Sequence, residues 1–552
     1  MTNAMPDRLL PALILITTLP CATAGQLTLR ILDADSGEPL AARIYLQNDA
    51  GDSFFFESLS PTGSALPYTE QWVPIAGSSE LHTTVSAHPA TCDLPPGTYT
   101  LQVERGKEYV PLLQQLSVGA QDISLEVALQ RWSDMASRGW YSGETHVHRR
   151  IQELPNVMLA EDLNVAFPVT FWTVRSDRQP DLSPSPLRRQ GPSPFGPRQD
   201  AGSEPILIDA SHVIFPRNTE YEIFSIGDQR HVLGAMFLLN HQQPFTRLAP
   251  PVTPIATAAH DQGALIDLDK HSWPWSLMLI PVAQVDLFEL SNNSVWRTNF
   301  GFRTAPAVPP PWTTLERTAD GGLTEWGWLT YGFEMYYALL NCGFRLSPSA
   351  GTAAGVHPVP LGHSRVYVHT GTNFDREQWL QGLRAGRSFV TTGPMLEVTV
   401  DGHLSDHQFR REGGGPHQFA VQIRSTSLLP PEAIEILVNG TVKHRLQPQA
   451  MQTAAGSWSV SLEQTVTVDD TCWIGIRSLI PQPDGRYRFA HTAPWHITVN
   501  DQPIQPRADQ VRYFVQLMEA EQQRSADLLP EQARLEYEQS LKVYRDLLQM
   551  AR

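Results

Sequence analysis

Hydrophobic and polar residues alternate over both flanks of this chain, run together in its middle, and take up helical spacing only near its end. Toward the N-terminus, Leu27-Thr28-Leu29-Arg30-Ile31 and Thr98-Tyr99-Thr100-Leu101-Gln102-Val103 alternate, with Asp33-Ala34-Asp35-Ser36-Gly37 and Pro95-Pro96-Gly97 as turns. That pattern predicts a small β-sandwich over residues 25–131. Between Trp132 and Pro394 the apolar residues become continuous, at 165–172, 264–268 and 285–290, which predicts the buried strands of a mixed α and β domain over 132–394. Pro168 interrupts the first of these runs. Alternation returns in Glu397-Val398-Thr399-Val400, which leads into Asp401-Gly402, and residues 434–438 lead into Asn439-Gly440, so a second β-sandwich is expected over 395–502. From 503 to 552, Val511, Phe514, Val515 and Met518 and then Ala533, Tyr537, Leu541, Tyr544 and Leu548 are spaced as helix faces.

The ends and the composition narrow the class. Residues 9–19 form an apolar run of signal-peptide length, too short to span a bilayer, and Ala22-Thr23-Ala24 is a small-x-small cleavage pattern. Residues 1–24 are therefore expected to be a signal peptide and the mature protein to be secreted or periplasmic. Cys21 would suit a lipid anchor, but Pro20 occupies the place of a small residue. No other stretch is long and apolar enough for a membrane span. A net charge of −16 without basic runs argues against nucleic acid and anionic membranes as partners. Three cysteines beyond the leader (Cys92, Cys342 and Cys472) permit at most one intrachain disulfide. Two Pro-rich insertions, 179–198 and 305–311, read as surface loops.

The segment with the most chemical content is Gly143-Glu144-Thr145-His146-Val147-His148. On a strand, Glu144, His146 and His148 share one face, and two imidazoles beside a carboxylate suit a divalent cation. Further along come Glu220-Tyr221-Glu222 and His231, then Asp267-Leu268-Asp269-Lys270-His271, then Glu289-Leu290-Ser291-Asn292-Asn293. Gly351 to Gly355, Gly362-His363-Ser364-Arg365 and Gly386-Arg387-Ser388 complete the series. In order and spacing these motifs resemble the polymerase-and-histidinol-phosphatase (PHP) superfamily, above all its secreted carbaryl-hydrolase-like branch, over residues 138–395. Separately, Leu94 to Val103 resembles the transthyretin-like regulatory modules found beside secreted carboxypeptidases. Two family motifs are broken. Thr173-Val174-Arg175 stands where the family has Thr-Asp-His, and Gly351-Thr352-Ala353-Ala354-Gly355 where it has Gly-Ser-Asp-x-His.

The resemblance implies an α/β fold: a PHP-like distorted (β/α) barrel flanked by an N-terminal and a C-terminal β-sandwich, with a helical tail. It implies metal ligation by His146, His148, Glu222 and His271, enough for one divalent ion of zinc, manganese or iron, with Glu220 as the rival to Glu222. His231, Glu289 and Asn292 follow as catalytic candidates. Arg175, standing where a ligand is lost, is a candidate to grip an anionic small-molecule substrate. His212, His241 and His363 carry no motif. The function expected is a secreted metal-dependent hydrolase acting on a phosphoester or on an amide or carbamate ester. The other reading is a catalytically inactive barrel that serves as a binding or scaffold module.

Overall fold

The computed structural model describes residues 25–71, 73–182, 198–297 and 303–552. The expected leader, its cleavage site and the greater part of the first Pro-rich insertion lie outside the described residues.

Period-two alternation builds two sheets in the N-terminal part. Strands Gly25–Asp33, Glu57–Ser58, Ala90–Leu94 and Ile123–Leu129 form one sheet. Ala42–Asn48, Ala65–Gln71, Ser79–Val85, Gly97–Glu104 and Leu112–Val118 form another. Leu27, Leu29, Ile44, Leu101 and Val103, drawn from both sheets, close a single core between them.

The centre is a closed barrel of seven strands: β1 (Trp140–Val147), β2 (Val165–Arg175), β3 (Asn218–Ile226), β4 (Gln229–Leu239), β5 (Leu265–Leu268), β6 (Leu287–Ser291) and β7 (Ser347–Ala354). β7 returns to β1 through His146 opposite Gly351 and Val147 opposite Ala354, which leaves no free edge. Neighbours run parallel except at β4, which lies antiparallel to both β3 and β5. β2 runs straight through Pro168, and the register slips beside it, as the missing N–H requires.

The expected α/β class, a (β/α) barrel flanked by helices, is corrected here: the chain is mostly β. Among the described residues, helices occupy four of the strand connections, as α1 (Leu154–Glu161), α2 (Thr253–Asp261), α3 (Ser276–Ala283) and α4 (Glu325–Asn341). β2 reaches β3 through two short strands, Ile206–Leu207 and Val213–Ile214. β3 reaches β4 by a hairpin at Gly227-Asp228, and an antiparallel step needs no crossover helix. Beyond β7, strand Arg365–His369 pairs back on β1, helix α5 (Arg376–Ala385) follows, and Ser388–Thr391 pairs with Tyr487–Thr492. The hydrogen-bonded sheet continues from the barrel into Gln408–Arg411, Ala433–Val438, Thr441–Leu446, Cys472–Pro481, Tyr487–Thr492 and Trp495–Val499, while Met395–Val400, His417–Ser427, Met451–Gln452 and Trp458–Val468 form a sheet of their own.

Helices α6 (Ala508–Ser525) and α7 (Glu531–Met550) supply cover that the connections do not. Val511, Phe514, Tyr537, Leu541 and Tyr544 join the barrel's own core, and Tyr544 donates to the Leu277 carbonyl of α3 at 2.8 Å. Among the described residues, no helix is long and apolar enough to cross a membrane.

Candidate metal centre

β1 carries the His pair into the barrel because the strand is buried along its whole length. Glu144 turns to another task. Its carboxyl accepts from the Thr352 backbone N–H at 2.7 Å, from the Thr352 hydroxyl and from the Gly362 N–H. Burial pushes it up to about 8, and the two segments it ties together form the rim around the histidines. Gly351 leaves the room they need, since a Cβ there would lie 2.2 Å from the His146 Cβ and 2.6 Å from Glu289 Oε1. Gly355, at φ 109°, passes so close to the backbone of His148 that a Cβ would meet it at 2.5 Å.

Six side chains converge on the barrel's interior: His146, His148, Glu220, Glu222, Asp269 and Glu289. His146 Nδ1 lies 3.3 Å from Glu289 Oε2 and 3.6 Å from Asp269 Oδ1. On its other edge, His146 Nε2 lies 3.2 Å from His148 Nε2, which is 3.3 Å from Glu220 Oε2. Three overlapping sets, each with donor atoms within 4.8 Å of one another, result: His146, His148 and Glu220; His146, Asp269 and Glu289; and Glu220, Glu222 and Asp269. Ligands at about 2.0–2.2 Å from one cation stand at most about 4.4 Å apart, so small side-chain shifts would bring each set to coordination distance. Phe237 packs on the His146 ring at 4.4 Å and Trp172 on His148 at 4.8 Å. Those apolar walls keep the cluster dry.

Dryness sets the electrostatics. Burial pushes His146 down to about 3 and His148 well below the ordinary imidazole range, so both are neutral and have the lone pairs a metal takes. Burial raises Glu222 to about 8. It lifts Glu220 and Glu289 well above the carboxylate range, helped by Glu222 and Asp269 for Glu220 and by Asp269 for Glu289. Asp269 is the exception. Burial pushes its carboxyl up, but the Lys270 ammonium at 2.6 Å carries it below the usual value. Four carboxyl groups thus face one ammonium, and burial keeps a negative charge disfavoured on each of them but Asp269. A divalent cation would supply further positive charge, and the donor set of two imidazoles with carboxylates suits zinc, manganese or iron.

The remaining expected site residues are scattered. Glu222 joins the cluster on the side of Glu220 and Asp269. His271 is in none of the three sets. It sits in an aromatic box, 4.7 Å from the rings of Trp328 and Tyr331, with Nε2 unpaired. Asn292 Oδ1 accepts from Ser294 N–H at 3.1 Å and Trp328 Nε1 at 3.2 Å, a strand-end brace. His231 Nε2 is bonded to Ser525 Oγ at 2.8 Å, at the seam with α6. Arg175 points to solvent and pairs with Asp177 at 2.7 Å and Asp228 at 3.0 Å. Asp269 and Lys270 were not among the expected site residues. The alternations Glu220-Tyr221-Glu222 and Asp267-Leu268-Asp269 contained the signal, since both members of each pair share a strand face. Asp267 is held instead by the Ser349 hydroxyl at 2.7 Å. Compared with models of protein families, with curated protein sequences and with solved structures, the chain matches none.

Proposed function

We propose that this chain is a metal-dependent hydrolase whose centre is the cluster of His146, His148, Glu220, Asp269 and Glu289. The observation that carries the reading is their convergence, from four different strands and strand ends, inside a water-poor barrel. A divalent cation held by these residues would supply a water of lowered pKa and polarise a phosphoryl or carbonyl oxygen. The protein's share follows from the contacts already described. Glu289 and Asp269 orient His146, Lys270 fixes Asp269 as the ionised carboxylate, and Phe237 and Trp172 exclude bulk water. The substrate class proposed is a phosphoester or an amide or carbamate ester, and the protein is proposed to act outside the cytoplasm.

One observation favours a second reading. Lys270 Nζ lies 2.6 and 2.7 Å from the two Asp269 oxygens, so the cluster already contains a cation of its own. A barrel neutralised in that way would bind no metal and would act as a scaffold. Metal content separates the two. The purified wild-type chain, reconstituted with zinc or manganese, is compared by mass spectrometry with His146→Ala/His148→Ala, and both are assayed on aryl phosphates and aryl carbamates. The hydrolase reading expects at least one metal equivalent and a hydrolytic activity, both lost in the variant. A wild type that holds no metal after reconstitution leaves the scaffold reading.

A further inference from the structure

Away from the barrel's centre, a cavity of about 290 Å³ opens between the N-terminal sheets, the loop after β7 and the C-terminal strands. This is the lower end of the roughly 300–1,000 Å³ of small-molecule sites. Lys107, His363, Arg486 and Arg488 line it, with Trp296 and the exposed Leu429 as its apolar part. Two carboxylates, Glu104 and Glu161, also reach its wall, but Arg43 pairs with both. Arg297 is likewise engaged, with Glu80 at 3.6 Å and over the faces of Tyr45 and Trp296.

Of the other cations, Arg486 has one carboxylate partner, and Lys107 and Arg488 form no ion pair among the described residues. Lys107 Nζ donates one proton to His363 Nδ1 at 2.9 Å, and its other two N–H groups meet no acceptor among the described residues. With Nδ1 accepting, His363 must carry its own proton on Nε2, which is buried and has no partner. Arg486 places Nε on Asp484 at 2.6 Å and leaves Nη1 buried and unpaired. Among the described residues Arg488 bonds only the Tyr487 carbonyl, at 3.4 Å, and its stem is laid over Gly393, where a Cβ would come within 3.1 Å of the Arg488 Cβ. Burial and then the neighbouring positive charges push Lys107 well below the usual lysine range, and burial with Arg486 brings Arg488 down to about 10. Buried donors and cations without acceptors are costly to a fold, and a cavity bordered by several of them is a site prepared for an anion.

We propose that this cavity binds a phosphate monoester, its oxyanion held by Lys107, Arg486 and Arg488 and its carbon portion laid against Trp296 and Leu429. A tetrahedral dianion offers acceptors in several directions, where a flat carboxylate satisfies one fork, and guanidinium groups match phosphate oxygens in pairs. The proposal does not rest on the metal centre.

The test is isothermal titration of the full chain in low-salt buffer with phenyl phosphate, inorganic phosphate and benzoate. The expected order is phenyl phosphate tightest, inorganic phosphate weaker and benzoate weakest. Lys107→Met and Arg488→Met should each weaken phenyl phosphate at least tenfold, while Lys542→Met, an exposed lysine that does not line the cavity, leaves it unchanged. Lys107→Met should also melt no lower than wild type in phosphate-free buffer, since it removes a cation without a counter-ion; the loss of binding is then not unfolding. Absence of binding to the wild type at millimolar phenyl phosphate overturns the proposal. So does equal binding of benzoate, or binding that survives in both cavity variants, which would place the phosphate elsewhere on the chain.

Discussion

His146 is the hinge of the centre, because its two nitrogens face different partners: Glu289 and Asp269 on one side, His148 on the other. Its position depends on a residue with no side chain. Gly351→Ala would set a methyl group 2.2 Å from the His146 Cβ and 2.6 Å from Glu289 Oε1, and two members of the cluster would have to move. Metal affinity should fall by about 10–100-fold or more, the loss seen when the support of a ligand is disturbed. His271 provides the contrast. Its ring packs against Trp328 and Tyr331, so His271→Phe keeps the aromatic contacts and should retain the metal. Competition titration with a chromophoric chelator measures both. Loss of metal in His271→Phe would show that this histidine reaches the cluster when a cation is bound, and equal affinity in Gly351→Ala would show that the crowding is relieved elsewhere.

At the scale of elements, the tail finishes what the barrel's connections leave undone. Helix α2 starts after Val252, which has no capping side chain, and its first N–H groups are capped from the far end of the chain. The buried Glu536 of α7 accepts from Val252 N–H at 2.8 Å, from Thr253 N–H at 2.7 Å and from the Thr253 hydroxyl at 2.7 Å. A carboxylate at a helix N-terminus also meets the positive end of the helix dipole. Glu536→Ala strands those donors in a buried seam and should cost about 2–4 kcal/mol, read from the urea midpoint. A cost under about 0.5 kcal/mol would mean that water replaces the carboxylate there. The tail was legible in the sequence as amphipathic helices, since Val511, Phe514, Tyr537 and Leu541 recur at helical spacing. What its apolar face would cover was not, because spacing along a helix says nothing of a partner several hundred residues away. The barrel strands were legible for the same local reason, as apolar runs. The antiparallel β4 was not: a parallel and an antiparallel neighbour demand the same apolar side chains, and only the hairpin at Gly227-Asp228 separates them. At the site, the period of two put His146 with His148 and Glu220 with Glu222. It could not show that His271 turns into an aromatic box or that Arg175 faces outward, since both are decided by tertiary neighbours.

Across the whole molecule, the N-terminal sheets are fastened to the barrel by buried polar contacts, and these make the junction sensitive to acid. Tyr68 takes the Gly355 N–H at 2.8 Å and gives its own proton to the His357 carbonyl at 2.7 Å, next to the rim that carries His148. Glu80 is the deeper link. It accepts from Tyr45, from His82 Nδ1 at 2.9 Å and, across the junction, from Trp296 Nε1 at 2.9 Å. Burial opposes the charge on Glu80, but its hydrogen bond and coulombic attraction from His82, with Arg297 and Arg43 beyond, carry it down to about 2. Burial holds His82 at about 4, below the ordinary 6.5, so the folded protein keeps this ring neutral. The signs agree. As pH falls from 6.5 to 4 the unfolded chain takes up a proton on His82 that the folded chain refuses, and stability drops. From 4.5 down to about 2 the unfolded chain protonates Glu80 first, and stability drops further. His82 alone accounts for up to about 3 kcal/mol between neutrality and pH 4. His82→Gln keeps a donor for Glu80 and has nothing to titrate. Its urea-derived stability should therefore fall less steeply between pH 6.5 and 4, by about 1.4 kcal/mol per pH unit relative to wild type at most. Several other buried histidines titrate in the same direction, so the wild-type slope alone decides nothing; the difference between the two proteins isolates one proton at one junction. Identical slopes would mean that His82 is protonated in the folded state and paired with Glu80 as an ion pair, and the junction would then resist acid down to the range where Glu80 itself gains a proton.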